Sequence, residues 1–150
     1  MDWQLKAFDE LTLKELYAIL ALRTDVFVVE QECPYPEVDG KDVQSYHLFA
    51  QENGEIVAYL RILPPGLSYD EASIGRVVIR ASHRGQGLGR PMMQQAIDYI
   101  VRVLKEDRIK IGAQAYLEAF YASLGFEQVS EVYLEDGIPH MDMLYQKPAN

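Results

Sequence analysis

The chain has 150 residues, 49% hydrophobic and 25% charged, the balance of one globular domain with a real core; a disordered polar tail is excluded. The formal net charge is −9 at pH 7, from 14 basic and 23 acidic side chains, and so acidic a surface repels nucleic-acid phosphates. No apolar run reaches the roughly 20 residues of a membrane helix, no basic-then-apolar leader opens the sequence, and Cys33 is the only cysteine. The expectation is a single domain over 1–150, without an internal disulfide, in the cytoplasm.

The first predicted element is a helix. Thr12 and Glu15 have the spacing of a capping box, and Leu13, Leu16, Tyr17 and Leu20 follow as one apolar face. Cys33-Pro34-Tyr35-Pro36 then breaks helix and predicts an ordered, exposed loop. Strands are expected over 45–51 and 56–63, joined by a tight turn at Asn53-Gly54. Pro64-Pro65-Gly66 ends the second, and 74–79, short, apolar and β-branched, predicts a strand buried on both faces.

After a glycine-rich turn, Leu88, Met92, Ala96, Ile100 and Leu104 form an i+4 ladder, supported by Met93, Ile97 and Val101, along a long helix. A strand is expected over 109–113. A helix carrying Leu117, Phe120, Tyr121 and Leu124 comes next, ended by Gly125 with Phe126 behind it. Strands over 127–133 and 140–145, linked through Asp136-Gly137, complete a mixed α/β sandwich around one sheet.

Charge is unevenly spread. Residues 72–97 hold Arg76, Arg80, Arg84 and Arg90 and no acid, whereas 25–42 hold six acids against Lys41 alone. Within the basic stretch lies Arg84-Gly85-Gln86-Gly87-Leu88-Gly89, between a strand and a helix. Glycines there admit close approach of a ligand, the helix start offers unpaired amides and partial positive charge, and Arg84 and Arg90 stand beside them. The combination suits phosphate oxygens. Pro91 falls in the first turn, where a missing amide sacrifices no bond. A Walker loop is excluded because Arg90 and Pro91 follow Gly89, and a dinucleotide fingerprint because Arg90 and Met92 stand where small residues are needed.

The pattern that matches is Arg/Gln-x-x-Gly-x-Gly/Ala, and with it the sequence resembles the GNAT N-acetyltransferases. Downstream, Phe120-Tyr121-Ala122-Ser123-Leu124-Gly125-Phe126 is similar to the second signature of that family, Tyr-x-x-x-Gly-Phe. Arg23, the run Val26-Phe27-Val28-Val29-Glu30-Gln31, Cys33-Pro34-Tyr35, Asp39-Gly40 and Glu135-Asp136-Gly137-Ile138-Pro139-His140 resemble the ElaA-type subgroup, so the similarity spans nearly the whole chain.

The resemblance implies the acyl-CoA N-acyltransferase fold and acetyl-CoA as co-substrate. It lays Val77, Val78 and Ile79 beside the pantetheine arm, with one backbone amide polarising the thioester, and puts the pyrophosphate in the turn from Arg84 to Arg90. Gln114 stands where many relatives have an Asn that bonds the arm, and Tyr121 aligns with the general acid. The segment 25–42, with Arg23, Glu30 and Tyr35, is implied as the acceptor wall. Its acidity suits a cationic amine and Tyr35 offers it an aromatic face. Glu30, Glu32, His47 and His140 are candidate bases, and His140, after the Asp136-Gly137 turn, lies nearest the implied acceptor cleft.

Cys33 among carboxylates is a poor nucleophile, and His47 and His83 are too isolated to suggest a metal. The expected activity is direct acetyl transfer to a primary amine, small or peptidic, with neither nucleic acid nor membrane as partner. The alternative is a CoA-binding module of the same fold without efficient catalysis. The residues leave the oligomeric state open, a homodimer included.

Overall fold

The computed structural model describes residues 1–149. Its eight strands are β1 (Asp2–Ala7), β2 (Tyr46–Glu52), β3 (Glu55–Leu63), β4 (Ser73–Ile79), β5 (Arg108–Gln114), β6 (Phe126–Gln128), β7 (Tyr133–Glu135) and β8 (Ile138–Gln146). Its α-helices are α1 (Leu13–Arg23), α2 (Gly89–Arg102) and α3 (Glu118–Ala122). The strands form two antiparallel sheets rather than one, ordered β1-β2-β3-β4 and β5-β8-β6, with β7 on β8. A single parallel bridge, Ala72 to Ile109, joins them, with the Lys110 amide on the Ala72 carbonyl at 2.9 Å. Beyond that point β4 and β5 part.

β3 carries the division of the core. Its Ala58, Leu60 and Ile62 face α2, packing with Met92, Met93, Ala96, Ile97 and Ile100 of the expected ladder. Tyr59 points the opposite way, with Phe49 of β2, into a smaller cluster under α1. Arg61, two residues on, shares the Tyr59 face by strand alternation. No helix among the described residues is long and apolar enough to cross a membrane.

Several expectations are corrected. β1 carries no clean alternation, and it forms by pairing with β2 along its whole length. The Thr12 cap is as expected, its hydroxyl accepting from the Glu15 amide at 3.0 Å. The helix it starts turns another face inward: Ile19, Leu22 and Arg23 are buried, while Leu13 and Tyr17 are 87% and 80% exposed. A π-helical stretch, Thr24–Glu30, continues α1 and was not foreseen. The 127–133 strand splits into β6 and β7, because the Val129 amide pairs with the Asp142 carbonyl and the Ser130 hydroxyl takes the Asp142 amide, which turns the chain outward. β4 is buried on both faces, with Ile74 in the α2 cluster and Val78 in the α1 cluster, but its Gly75, Arg76 and Val77 are half-buried and border a cleft.

Candidate active site

The gap between β4 and β5 widens into a cleft of about 880 Å³. Val77, Val78 and Ile79 line one wall, and Gln114, Tyr121 and His140 face it from β5, α3 and β8. β4 is bulged here. Tyr59 pairs with Val78 and Arg61 with Gly75, so β4 has one residue too many for its partner. The extra turn sits at Arg76, whose φ of 52° lies where a side chain is disfavoured. On the β5 side the backbone of 77–79 has no strand partner among the described residues. An extended ligand laid there meets main-chain groups left unpaired by β5, apart from the Ile79 carbonyl, which accepts from Arg84.

Beyond β4 the chain enters the glycine turn. Gly85 and Gly87 have φ of 79° and 75°, with nothing within 4 Å of where a Cβ would stand. No acceptor in the protein meets the amides of residues 85–88 among the described residues, and α2 starts without a side-chain cap. Gln86 and Leu88 complete this exposed mouth. An anionic group fits it, held by amides and by the positive end of α2.

Arg84 lines the cleft, its Nε donating to the Ile79 carbonyl at 3.0 Å and its Nη1 lying 2.8 Å from Glu30. Both partners are more than 40% exposed, and an open ion pair of this kind contributes about 0–1 kcal/mol, which an incoming anion can displace. Gly89, which lines the cleft, and Arg90 also join α2 to α3. A Cβ on Gly89 would lie 3.3 Å from Phe120, while Arg90 donates to the Ser123 hydroxyl at 2.8 Å and covers the Phe120 ring, tying α2 to α3.

Tyr121 is 6% exposed, edge-on to Phe120 and Phe126, and lines the cleft, its hydroxyl without a hydrogen-bond partner among the described residues. Burial pushes the phenol up to about 12, so it is protonated at neutral pH and available as a donor. His140 pairs with Gln114 across β5 and β8 and stacks on Tyr133. Its Nδ1 donates to the Ile138 carbonyl at 2.7 Å, which leaves Nε2 as the acceptor, 3.5 Å from Glu135.

Glu30 and Tyr35 also line the cleft, but the rest of the acidic segment is not the open anionic wall foreseen. Three of its carboxylates, those of Glu37, Asp39 and Asp42, are neutralised by arginines from outside the segment. Arg23, wholly buried, meets Glu37 at 2.8 Å and Asp42 at 2.7 Å, so it touches no ligand and holds the wall from behind. Arg61 meets Asp39 at 2.6 Å and Asp42 at 3.0 Å, and Arg76 pairs with Glu37.

Burial works to raise the Asp39 and Asp42 carboxyls, but the Arg61 contacts of Asp39 and the Arg23 and Arg61 contacts of Asp42 override it and hold both below the ordinary range. The cluster leaves the buried Arg61 Nε without an acceptor among the described residues, a cost of about 1–3 kcal/mol. His47 lies inside the fold, its Nε2 donating to the Asp42 carbonyl at 2.9 Å and its Nδ1 accepting from Tyr59 at 2.6 Å. It cannot serve as a base for a cleft substrate, and Glu32 does not line the cleft either. The exposed acids of the cleft that pair with no arginine are Glu135 and Asp136, which net charge by segment did not single out; the Asp136 carbonyl lies 3.6 Å from Cys33 Sγ of the acidic segment.

The model of the Acetyltransferase (GNAT) domain matches residues 20–147. ElaA of Escherichia coli K12 is 41% identical over 145 residues, 95% of each chain. The crystal structure of E. coli ElaA superposes with a TM-score of 0.91 at 40% identity, covering 97% of this chain and 100% of that one. An acyl-CoA N-acyltransferase from Pseudomonas aeruginosa superposes equally well, with a TM-score of 0.91, 47% identity and coverage of 97% and 99%.

Proposed function

The chain belongs to the GNAT acetyltransferase family, and from that premise we propose that it transfers an acetyl group from acetyl-CoA directly to a primary amine bound in the same cleft. The observation that carries this reading is the placing of Tyr121. A buried, protonated phenol faces the unpaired edge of β4, and the amide-rich turn at the head of α2 opens at the end of the same cleft. The diphosphate of acetyl-CoA takes the amides of the turn and draws Arg84 from Glu30. Its pantetheine arm pairs with the backbone of 77–79, and Gln114 is in place to bond the arm from β5.

In the reaction the amine nitrogen attacks the thioester carbon, and an oxyanion forms where a β4 amide stabilises it. The C–S bond then breaks, the sulfur leaves as thiolate and takes a proton from Tyr121. That step is uphill in water, since a free thiol has a reference value of about 8.5. Burial in the same apolar site raises the thiol too and narrows the gap. Nε2 of His140, 3.5 Å from Glu135, accepts the amine proton. Glu135 and Asp136 attract an ammonium group, and Tyr35, half exposed in the same cleft, offers a ring face.

The test is thiol release from acetyl-CoA against a panel of polyamines, amino sugars, amino acids and peptide amines. Release stimulated by at least one acceptor, with intersecting initial-velocity lines, is the expected result. Binding of CoA without acceptor-stimulated release would identify a CoA-binding module, and parallel lines would replace direct transfer by a covalent intermediate. Tyr121→Phe is expected to lower kcat about 100-fold, the scale of a lost general acid, with CoA affinity by calorimetry within about twofold of wild type.

A further inference from the structure

Arg76 is the one non-glycine residue of β4 in the left-handed region, with φ 52°, and it makes the bulge that turns the edge of β4 toward the cleft. The ladder on either side is regular: Gly75 opposes Arg61 and Val78 opposes Tyr59. Nothing in the sequence of the strand favours this conformation at an arginine. The side chain accounts for it. Its Nε donates to the Glu37 carboxylate, and its Nη2 reaches the Glu37 carbonyl at 3.2 Å and Asp39 at 3.5 Å.

Glu37 cannot follow a moving Arg76, because the same carboxylate oxygen accepts from Arg23 at 2.8 Å, and Arg23 has no exposed surface at the base of α1. The carbonyl of Glu37 is shared in the same way, with Arg23 Nη2 also at 3.2 Å. Arg23 is fixed in turn by Asp42, which also takes Arg61 from the neighbouring strand. The bulge is thus pinned at its side chain to the most buried charge in the molecule.

We propose that Arg76 and Glu37 are positioning residues for the transfer: the pair holds Arg76 in its left-handed conformation and so fixes the direction in which the Val77 and Ile79 amides, which alternate with the β3-bonded Val78 and Arg80, meet the reacting thioester. The inference rests on the acetyl-transfer reading for its catalytic consequence, not for the clamp itself. Neither residue is required to touch the substrates. A glycine at 76 adopts positive φ without strain and needs no clamp, whereas an alanine loses the clamp and keeps the strain.

The experiment compares R76A, R76G, E37Q and R76G/E37Q by steady-state kinetics, and wild type with E37Q by hydrogen exchange of the peptide spanning 73–80. R76A and E37Q are expected to lower kcat about tenfold or more, as a misaimed oxyanion donor does, while the acetyl-CoA KM stays within about twofold. R76G is expected to recover most of what R76A loses, and E37Q added to R76G to change nothing further. Exchange over 73–80 is expected to be faster in E37Q than in wild type.

Equal loss in R76G and R76A, carried by the acceptor KM, would overturn the proposal and make Arg76 an acceptor contact. Unchanged exchange in E37Q would overturn the clamp even if R76A fails to fold. The exchange measurement needs no turnover, so a wild-type protein inactive toward every amine would sink the transfer reading while the clamp is still judged.

Discussion

At Gly87 the backbone φ is 75°, and open space lies where a Cβ would go. The glycine is there for its dihedral angle and not for want of room. Gly87→Ala therefore brings strain of about 1–2 kcal/mol into the turn. The expected outcome is a lower melting temperature and a CoA dissociation constant raised severalfold by calorimetry, since relief of strain moves the amides off the diphosphate. Gly89 differs, being small because the Phe120 ring lies against it. The sequence marked both as one motif, and only the packing of α3 separates their reasons.

Among elements, α1 shows how periodicity can name a helix and mistake its face. Leu13, Leu16, Tyr17 and Leu20 form one stripe at helical spacing, while Leu16, Ile19, Leu20 and Arg23 form another rotated from it. An arginine at the end of the second stripe argues for the first, until the partners of Arg23 are known. Glu37 and Asp42 stand ready beneath it, and the helix turns the charge inward to meet them. Ile19→Ala is expected to cost about 2–5 kcal/mol as a buried large-to-small change. Tyr17→Ser, on the exposed stripe, is expected to stay within about 0.5 kcal/mol of wild type. Urea denaturation of the two variants checks the face directly.

For the molecule as a whole, the cluster of Arg23, Arg61 and Arg76 with Glu37, Asp39 and Asp42 joins α1, the loop before β2, β3 and β4. It is balanced in charge, so the acidic surplus of the chain lies elsewhere. Asp39 and Asp42 are held below the ordinary carboxylate value, chiefly because their arginine contacts outweigh burial. The unfolded chain then binds more protons than the native one in acid. Their contribution is complete above the unfolded value of about 3.9 and is lost as pH falls through the lower native values. Asp42→Asn is expected to cost about 3–5 kcal/mol at neutral pH, because it leaves buried guanidinium charge uncompensated. It is also expected to flatten the fall of the urea midpoint below about pH 4.

Local chemistry decided what the sequence could tell alone. The Thr12 cap, the α2 ladder, the glycine turn and Tyr121 each depend on neighbours a few residues away, and their spacing is legible along the chain. The division into two sheets, the bulge at Arg76, the inward face of α1 and the neutralised acidic loop depend on partners far apart in sequence. Arg76 meets Glu37 and Arg23 meets Asp42 only after β4 and α1 have packed on the same loop. Charge and strain of that kind have no local signature, so tertiary structure alone assigned them.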